Sequence, residues 1–131
     1  MCGFTGYYGF GNYDRKQILD AMGECIAHRG PDSDGTFLDD HVALGFRRLS
    51  IIDLEGGSQP IHSEDGRHVI VFNGEIYNYQ DIRKELIEKH GCTFATHSDT
   101  EVILQAYKTY GEDAVKMLRG MFAFRSEEHT S

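Results

Sequence analysis

The chain has no apolar run near the roughly 20 residues that a membrane-spanning helix requires, and its N-terminus has neither the basic start nor the apolar stretch of a signal peptide. A cytoplasmic location without a membrane partner is therefore expected. It also lacks any Lys/Arg block able to track a phosphate backbone, and a net charge of −8 argues against nucleic acid as a partner. Cysteine is sparse: Cys2, Cys25 and Cys92 are odd in number, widely spaced and form no C-x-x-C pair, which excludes a disulfide framework and fits a reducing compartment. The seven histidines include no H-x-x-x-H pair, so no metal site is expected. Repeats and low-complexity tracts are absent as well.

What is present suits one soluble domain: 131 residues, 40 % of them hydrophobic by a count that omits the 15 glycines, and 26 % charged. Phe4 to Phe10 mixes aromatics with Gly6 and Gly9 and reads as a strand crowded by a neighbour, which puts Cys2 at a strand's beginning. Asp14 with Gln17 marks a helix start; Ile18, Leu19, Met22, Cys25 and Ile26 recur at helical spacing up to a stop at Gly30-Pro31. Strands are expected around Gly35 to Leu38, His41 to Arg47 and His68 to Asn73. A second helix carrying Ile82, Leu86 and Ile87 ends at Gly91, followed by an edge strand over Cys92 to Thr96. Ser98 and Glu101 form a capping box that opens a third helix with Val102, Ile103, Ala106, Tyr107 and Tyr110 inward, closed by Gly111. A short helical piece from Glu112 to Leu118 and a strand over Met121 to Phe124 complete the pattern. Helices interleaved irregularly with strands imply an α+β fold with a mainly antiparallel sheet.

The last seven residues, Arg125 to Ser131, are wholly polar and break abruptly from that final strand. They resemble a translated sequencing adapter, so residues 125–131 are expected to be a non-native tail and residues 1–124 the domain.

Several features bear on chemistry. A small residue after Met1 permits removal of the initiator, leaving a thiol and a free α-amine together on Cys2. An unperturbed α-amine titrates near 7.7–8.0 and a free thiol near 8.5, so such a pair exchanges a proton around neutrality. An isolated cysteine near a terminus is more often an incidental thiol. Val71 to Asn78 runs an apolar strand into Asn73-Gly74, either a hairpin turn or a side-chain amide beside a glycine N–H, as an oxyanion hole requires. Arg47 and Arg48 interrupt a strand-like run, either to pair with a carboxylate of the protein or to offer a planar fork to a substrate carboxylate. Helix capping accounts for Ser98 and Glu101, and the helix dipole favours Asp99. His28 to Asp32 reads as a helix C-terminus: positive charge, Gly cap, Pro stop.

Taken together, Met1-Cys2-Gly3-Phe4, His28 to Asp32, Arg48 to Asp53, Asn73 to Asn78, Ser98 to Glu101 and Gly120 to Phe124 closely resemble, in order and spacing, the N-terminal glutaminase domain of the asparagine synthetase B family, from Met1 to Phe124. The resemblance implies the N-terminal nucleophile hydrolase fold, a four-layer αββα sandwich of two antiparallel sheets between helices, in the class II glutamine amidotransferases. It also implies the site. Cys2 would be the nucleophile, Asn73 with the Gly74 N–H the oxyanion hole, Arg48 the partner of the glutamine α-carboxylate, and Asp99 and Glu75 the partners of its α-ammonium, with Leu49, Ser50, Ile51 and Ile52 lining the pocket.

L-Glutamine is the substrate so implied, and ammonia would pass to a C-terminal synthetase domain that makes asparagine from aspartate with ATP and magnesium. Neither that domain nor a phosphate-binding loop lies in this sequence, so no cofactor is expected here and the domain reads as incomplete at its C-terminus, unstable or aggregating in isolation. The resemblance leaves a homodimer open. An amidotransferase-like protein of another pathway, such as surface polysaccharide assembly, and an inert glutamine-binding remnant are the alternatives.

Overall fold

The computed structural model describes residues 2–9, 14–49 and 59–128. Two three-stranded antiparallel sheets form its centre. The first has β1 (Gly3–Tyr8) and β2 (Ser33–Leu38) flanking β3 (Val42–Arg48); the second has β4 (Ile61–His62) and β6 (Gly120–Glu128) flanking β5 (His68–Ile76). Gly3 pairs with Arg47 at one end of the first sheet, and Tyr8 with Val42 at the other.

The two central strands are buried on both faces, which is why they read as nearly continuous apolar runs. On β3, Val42, Leu44 and Phe46 point one way and meet Val69 and Val71 of β5, with Cys2, Phe4 and Phe37 packed alongside. Gly45, on the other face, lies under Leu19 of α1 (Arg15–Cys25). The alternate residues of β5, Ile70, Phe72 and Ile76, pack against Ile82 and Leu86 of α2 (Tyr79–His90) and Val102, Ile103 and Ala106 of α3 (Asp99–Tyr110). The order of layers is α1, first sheet, second sheet, α2 with α3: the expected αββα sandwich. Each large side chain fully withdrawn from water here contributes about 1.5–3 kcal/mol before entropy is counted.

Local signals explain the helix ends. The Asp14 carboxylate accepts the Gln17 N–H at 3.0 Å to open α1. Gly91 closes α2 in the left-handed region, at φ 65°.

The structure corrects several expectations. β1 spans Gly3–Tyr8, and Phe10 lies outside the described residues. Cys92 to Thr96 forms no strand, because the Glu101 carboxylate takes the Ala95 N–H at 2.8 Å and the Thr96 N–H at 2.7 Å. The capping box is therefore half-formed: Ser98 Oγ accepts the Glu101 N–H at 3.3 Å, but the Ser98 N–H goes to Thr96 Oγ1. The short helical piece expected from Glu112 to Leu118 is present as a 3-10 helix over Gly111–Met117. Ile18 and Cys25 of α1 and Ile87 of α2, which carry the helical apolar spacing, are exposed, while Leu104 joins the residues of α3 expected inward.

The last strand does not stop at Phe124. Arg125, Ser126, Glu127 and Glu128 continue it opposite Val71, Ile70, Val69 and His68. A ladder is made by the backbone, and β5 offers an edge to pair with whatever the polarity of the side chains.

Candidate active site

Cys2 lies just before β1, half-buried at the margin of the apolar layer between the sheets. The end of β3 turns over its side chain: the Leu49 N–H donates to Sγ at 3.5 Å, and Sγ lies 4.0 Å from the Leu49 carbonyl oxygen. Arg48, the residue before, ends β3 opposite Ser33, bridges to Pro31, and accepts the Asp32 N–H on its carbonyl at 3.0 Å. Ser50, Ile51 and Ile52 lie outside the described residues. Cys2, Arg48 and Leu49 thus gather at one end of the first sheet.

The second sheet carries the other half. Asn73 follows Val69 and Val71 at every second position, so it shares their face of β5, toward the first sheet and the layer that Cys2 borders. No return strand follows Asn73-Gly74: β5 runs straight on to Ile76, paired throughout with β6. The hairpin alternative is thereby excluded. Gly74 has φ 144°, and a Cβ built on it would lie 2.1 Å from the Met121 carbonyl oxygen. Only glycine fits that backbone and that approach.

Asp99 opens α3, and its Oδ2 accepts the Ile76 N–H at 3.0 Å, which fixes the helix start against the end of β5. Burial pushes the Asp99 carboxyl above the ordinary range, against hydrogen bonds from Ile76, Thr100 and its own backbone, and the Glu75 charge pushes it further. Asn73, Gly74, Glu75 and Asp99 therefore gather around the end of β5. The two halves sit on facing sheets, and β1 touches β5 across the sandwich. Among the described residues no three His, Cys, Asp or Glu side chains gather to hold a metal ion.

Sequence reasoning treated some residues as merely structural that in fact shape this region. Arg29, read as a helix-end charge, donates from Nε and Nη2 to the Cys2 carbonyl, both at 3.2 Å. Asn78 ties the start of α2 to the approach of β6: its Nδ2 donates to the Met117 carbonyl and its Oδ1 accepts the Arg119 N–H, each at 2.9 Å. The signal for Arg29 was Gly3: a Cβ there would stand 3.1 Å from Arg29 Nε.

The chain matches the family model of the glutamine amidotransferase domain over residues 1–130. This chain belongs to that family. Among curated relatives of this glutamine amidotransferase domain, asparagine synthetase (glutamine-hydrolysing) 1 of Bacillus subtilis is 54 % identical over 128 residues, 95 % of this chain and 20 % of that protein. Asparagine synthetase B (glutamine-hydrolysing) of Escherichia coli is 42 % identical over 110 residues, 84 % of this chain and 19 % of that protein. The chain thus spans about a fifth of the length of these relatives. Glutamine phosphoribosylpyrophosphate amidotransferase from B. subtilis superposes with a TM-score of 0.77 at 22 % identity, over 98 % of this chain and 35 % of that one, which establishes a shared α+β fold.

Proposed function

We propose that this domain hydrolyses L-glutamine to glutamate and ammonia, with Cys2 as nucleophile once Met1 is removed. The observation that carries the reading is the placement of Cys2: its sulfur is held at the mouth of the inter-sheet layer by the Leu49 N–H, on a residue that removal of Met1 makes N-terminal. In the proposed reaction the α-amine takes the thiol proton and the thiolate attacks the side-chain amide carbon of glutamine. The Asn73 amide and the Gly74 N–H stabilise the resulting oxyanion. The intermediate collapses as the ammonium of Cys2 returns its proton to the departing nitrogen, releasing ammonia and leaving a γ-glutamyl thioester. Water then adds and glutamate leaves, restoring the thiol.

Arg48 would pair with the substrate α-carboxylate, Asp99 and Glu75 with its α-ammonium, and the Leu49 to Ile52 backbone would line the pocket. Ammonia would serve the conversion of aspartate to asparagine in a synthetase domain such as the longer relatives have room for. ATP and magnesium would belong to that domain. No described helix is long and apolar enough to cross a membrane. Residues 125–131 are proposed to be foreign to the domain. In support, Arg125 and Glu127 pair with each other on the face of β6 that lies beside Val71 and Val69.

A diazo-ketone analogue of glutamine tests the activity. The Met1-free chain should acquire one covalent adduct, mapped to Cys2 by mass spectrometry. No adduct on folded, Met1-free protein would remove the basis of the reading.

A further inference from the structure

We propose that the cavity between α1 and the outer face of the first sheet is a second binding site, for the zwitterionic head of a small α-amino acid, with Arg47 taking the carboxylate and Asp34 the ammonium. The inference does not depend on the glutaminase reading. Successive residues of a strand face opposite sides of the sheet. Val42, Leu44 and Phe46 of β3 face the layer that Cys2 borders, so Arg48 turns toward that layer and Arg47 turns toward α1. The basic pair of the sequence is thereby split between two faces. Arg48 has a role assigned beside Cys2, and Arg47 is left over.

The cavity measures about 290 Å³. Asp34, Gly45 and Arg47 lie on the sheet side, where Asp34 of β2 stands directly opposite Arg47 of β3. Lys16, Asp20, Gly23 and Glu24 of α1 lie across from them. Two glycines keep the space open: Gly45 brings no side chain to the sheet side, and a Cβ on Gly23 would have nothing within 4 Å. The Arg47 side chain is only 17 % exposed, and its Nε donates to the Gly30 carbonyl at 3.1 Å, which fixes the base of the guanidinium. Its Nη1 lies 3.8 Å from Asp34 Oδ2, beyond hydrogen-bond length, and among the described residues no other carboxylate pairs with it. A planar fork so far withdrawn from water and so loosely paired has donors to spare. Asp34, at 68 % exposure, is free to adjust to whatever the arginine holds.

The charges around the cavity decide the class of ligand. Asp20, Glu24 and Asp34 outnumber Lys16 and Arg47, and Lys16 is already paired with Asp20 at 2.7 Å. A simple anion on Arg47 would be repelled by the surrounding carboxylates, and a simple cation among those carboxylates would be repelled by Arg47. An α-amino acid carries both charges on one carbon atom. Its carboxylate accepts the two-pronged contact that the guanidinium offers, and its ammonium then stands beside Asp34. The 3.8 Å gap between Nη1 and Oδ2 is left unclosed by the protein's own groups, and a zwitterion bridges it. The first sheet lies between this cavity and the layer that Cys2 borders, so the two sites fill independently.

Glycine, the smallest such zwitterion, is the probe, titrated into the isotope-labelled chain while backbone amide shifts are followed by NMR. The amides of Gly35, Thr36 and Gly45 should move and saturate within about 50 mM, while those of Leu49, Asn73 and Gly74 stay still. N-acetylglycine and glycine methyl ester each lack one of the two charges and should bind about tenfold or more weakly. Arg47→Met and Asp34→Asn should each weaken glycine by about the same factor. Gly23→Leu fills the cavity from a helix position where leucine is preferred to glycine, and should abolish the shifts with every charge in place. Shifts confined to Leu49, Asn73 and Gly74 would put glycine at Cys2 and overturn the proposal. The absence of saturable shifts would overturn it as well, and so would equal binding of glycine and its two blocked forms. Should Arg47→Met fail to fold, Asp34→Asn and Gly23→Leu decide, and wild-type affinity in either rejects the site.

Discussion

Replacing Gly74 by alanine should separate two reasons for a glycine that the structure keeps distinct. At φ 144° the backbone lies in a region open almost only to glycine, and holding an alanine there costs about 1–3 kcal/mol. The new Cβ would also stand 2.1 Å from the Met121 carbonyl oxygen and 2.6 Å from Phe122 Cα. Both are backbone atoms of the neighbouring strand, so no rotamer change relieves the clash. β5 and β6 must part locally by about 0.9 Å to reach the shortest tolerable contact. That strains the ladder from Gly74 opposite Phe122 to Glu75 opposite Met121, where each lost hydrogen bond costs about 1 kcal/mol. The total is about 3–5 kcal/mol, a large part of the roughly 5–15 kcal/mol that holds a domain folded. With a slope of about 1–3 kcal/mol per molar urea, the unfolding midpoint should fall by about 2 M. Gly91→Ala is the control: φ is 65°, nothing lies within 4 Å of its Cβ, and the cost should be about 1 kcal/mol. Urea titration followed by circular dichroism measures both. Equal losses in the two variants would mean that the approach of Met121 contributes nothing, and the reasoning would be refuted. Glutaminase activity should fall further in Gly74→Ala than its folded fraction explains, because the N–H assigned to the oxyanion moves with the strand.

Asn73→Ala should lower kcat for glutamine hydrolysis by about 10² to 10³ fold with little change in KM, since an oxyanion donor acts mainly in the transition state; steady-state ammonia release checks this. Glu101→Ala should destabilise the chain by about 2–3 kcal/mol in urea unfolding, because it removes the acceptor of the Ala95 and Thr96 N–H groups. The raised carboxyl of Asp99 must be ionised to hold an ammonium group, so kcat/KM should begin to fall on the acid side at a higher pH than an ordinary aspartate gives, and Asp99→Asn should remove that limb. Stability runs the other way: a carboxyl raised by folding adds stability that is full below its unfolded value and is lost as pH rises through the folded one, which thermal melts against pH can measure. Arg125→Val with Glu127→Val should raise the melting temperature by a few degrees, as about 1–2 kcal/mol of apolar contact replaces charge beside Val71 and Val69.

The sequence by itself determined the elements whose signals are local. Asp14 with Gln17, Gly91 in the left-handed region and Ser98 before α3 mark helix ends through bonds spanning a few residues, and the short apolar runs of β3 and β5 announced strands. The order of motifs around Cys2, Arg48, Asn73 and Asp99 disclosed the family, because each motif is contiguous in the chain. Tertiary structure alone decided where long-range bonds go. Glu101 was free, on local grounds, to cap its own helix; only the fold brings the 95–96 loop within reach of its carboxylate and denies that loop a ladder. Polarity suggested that the last strand ends at Phe124, whereas the open edge of β5 carries it on to Glu128. Arg29 is 27 residues from Cys2, and no periodicity encodes a contact between a guanidinium and a carbonyl at that separation. Local sequence fixes what each segment becomes, while a bond between distant segments exists only once the layers have packed.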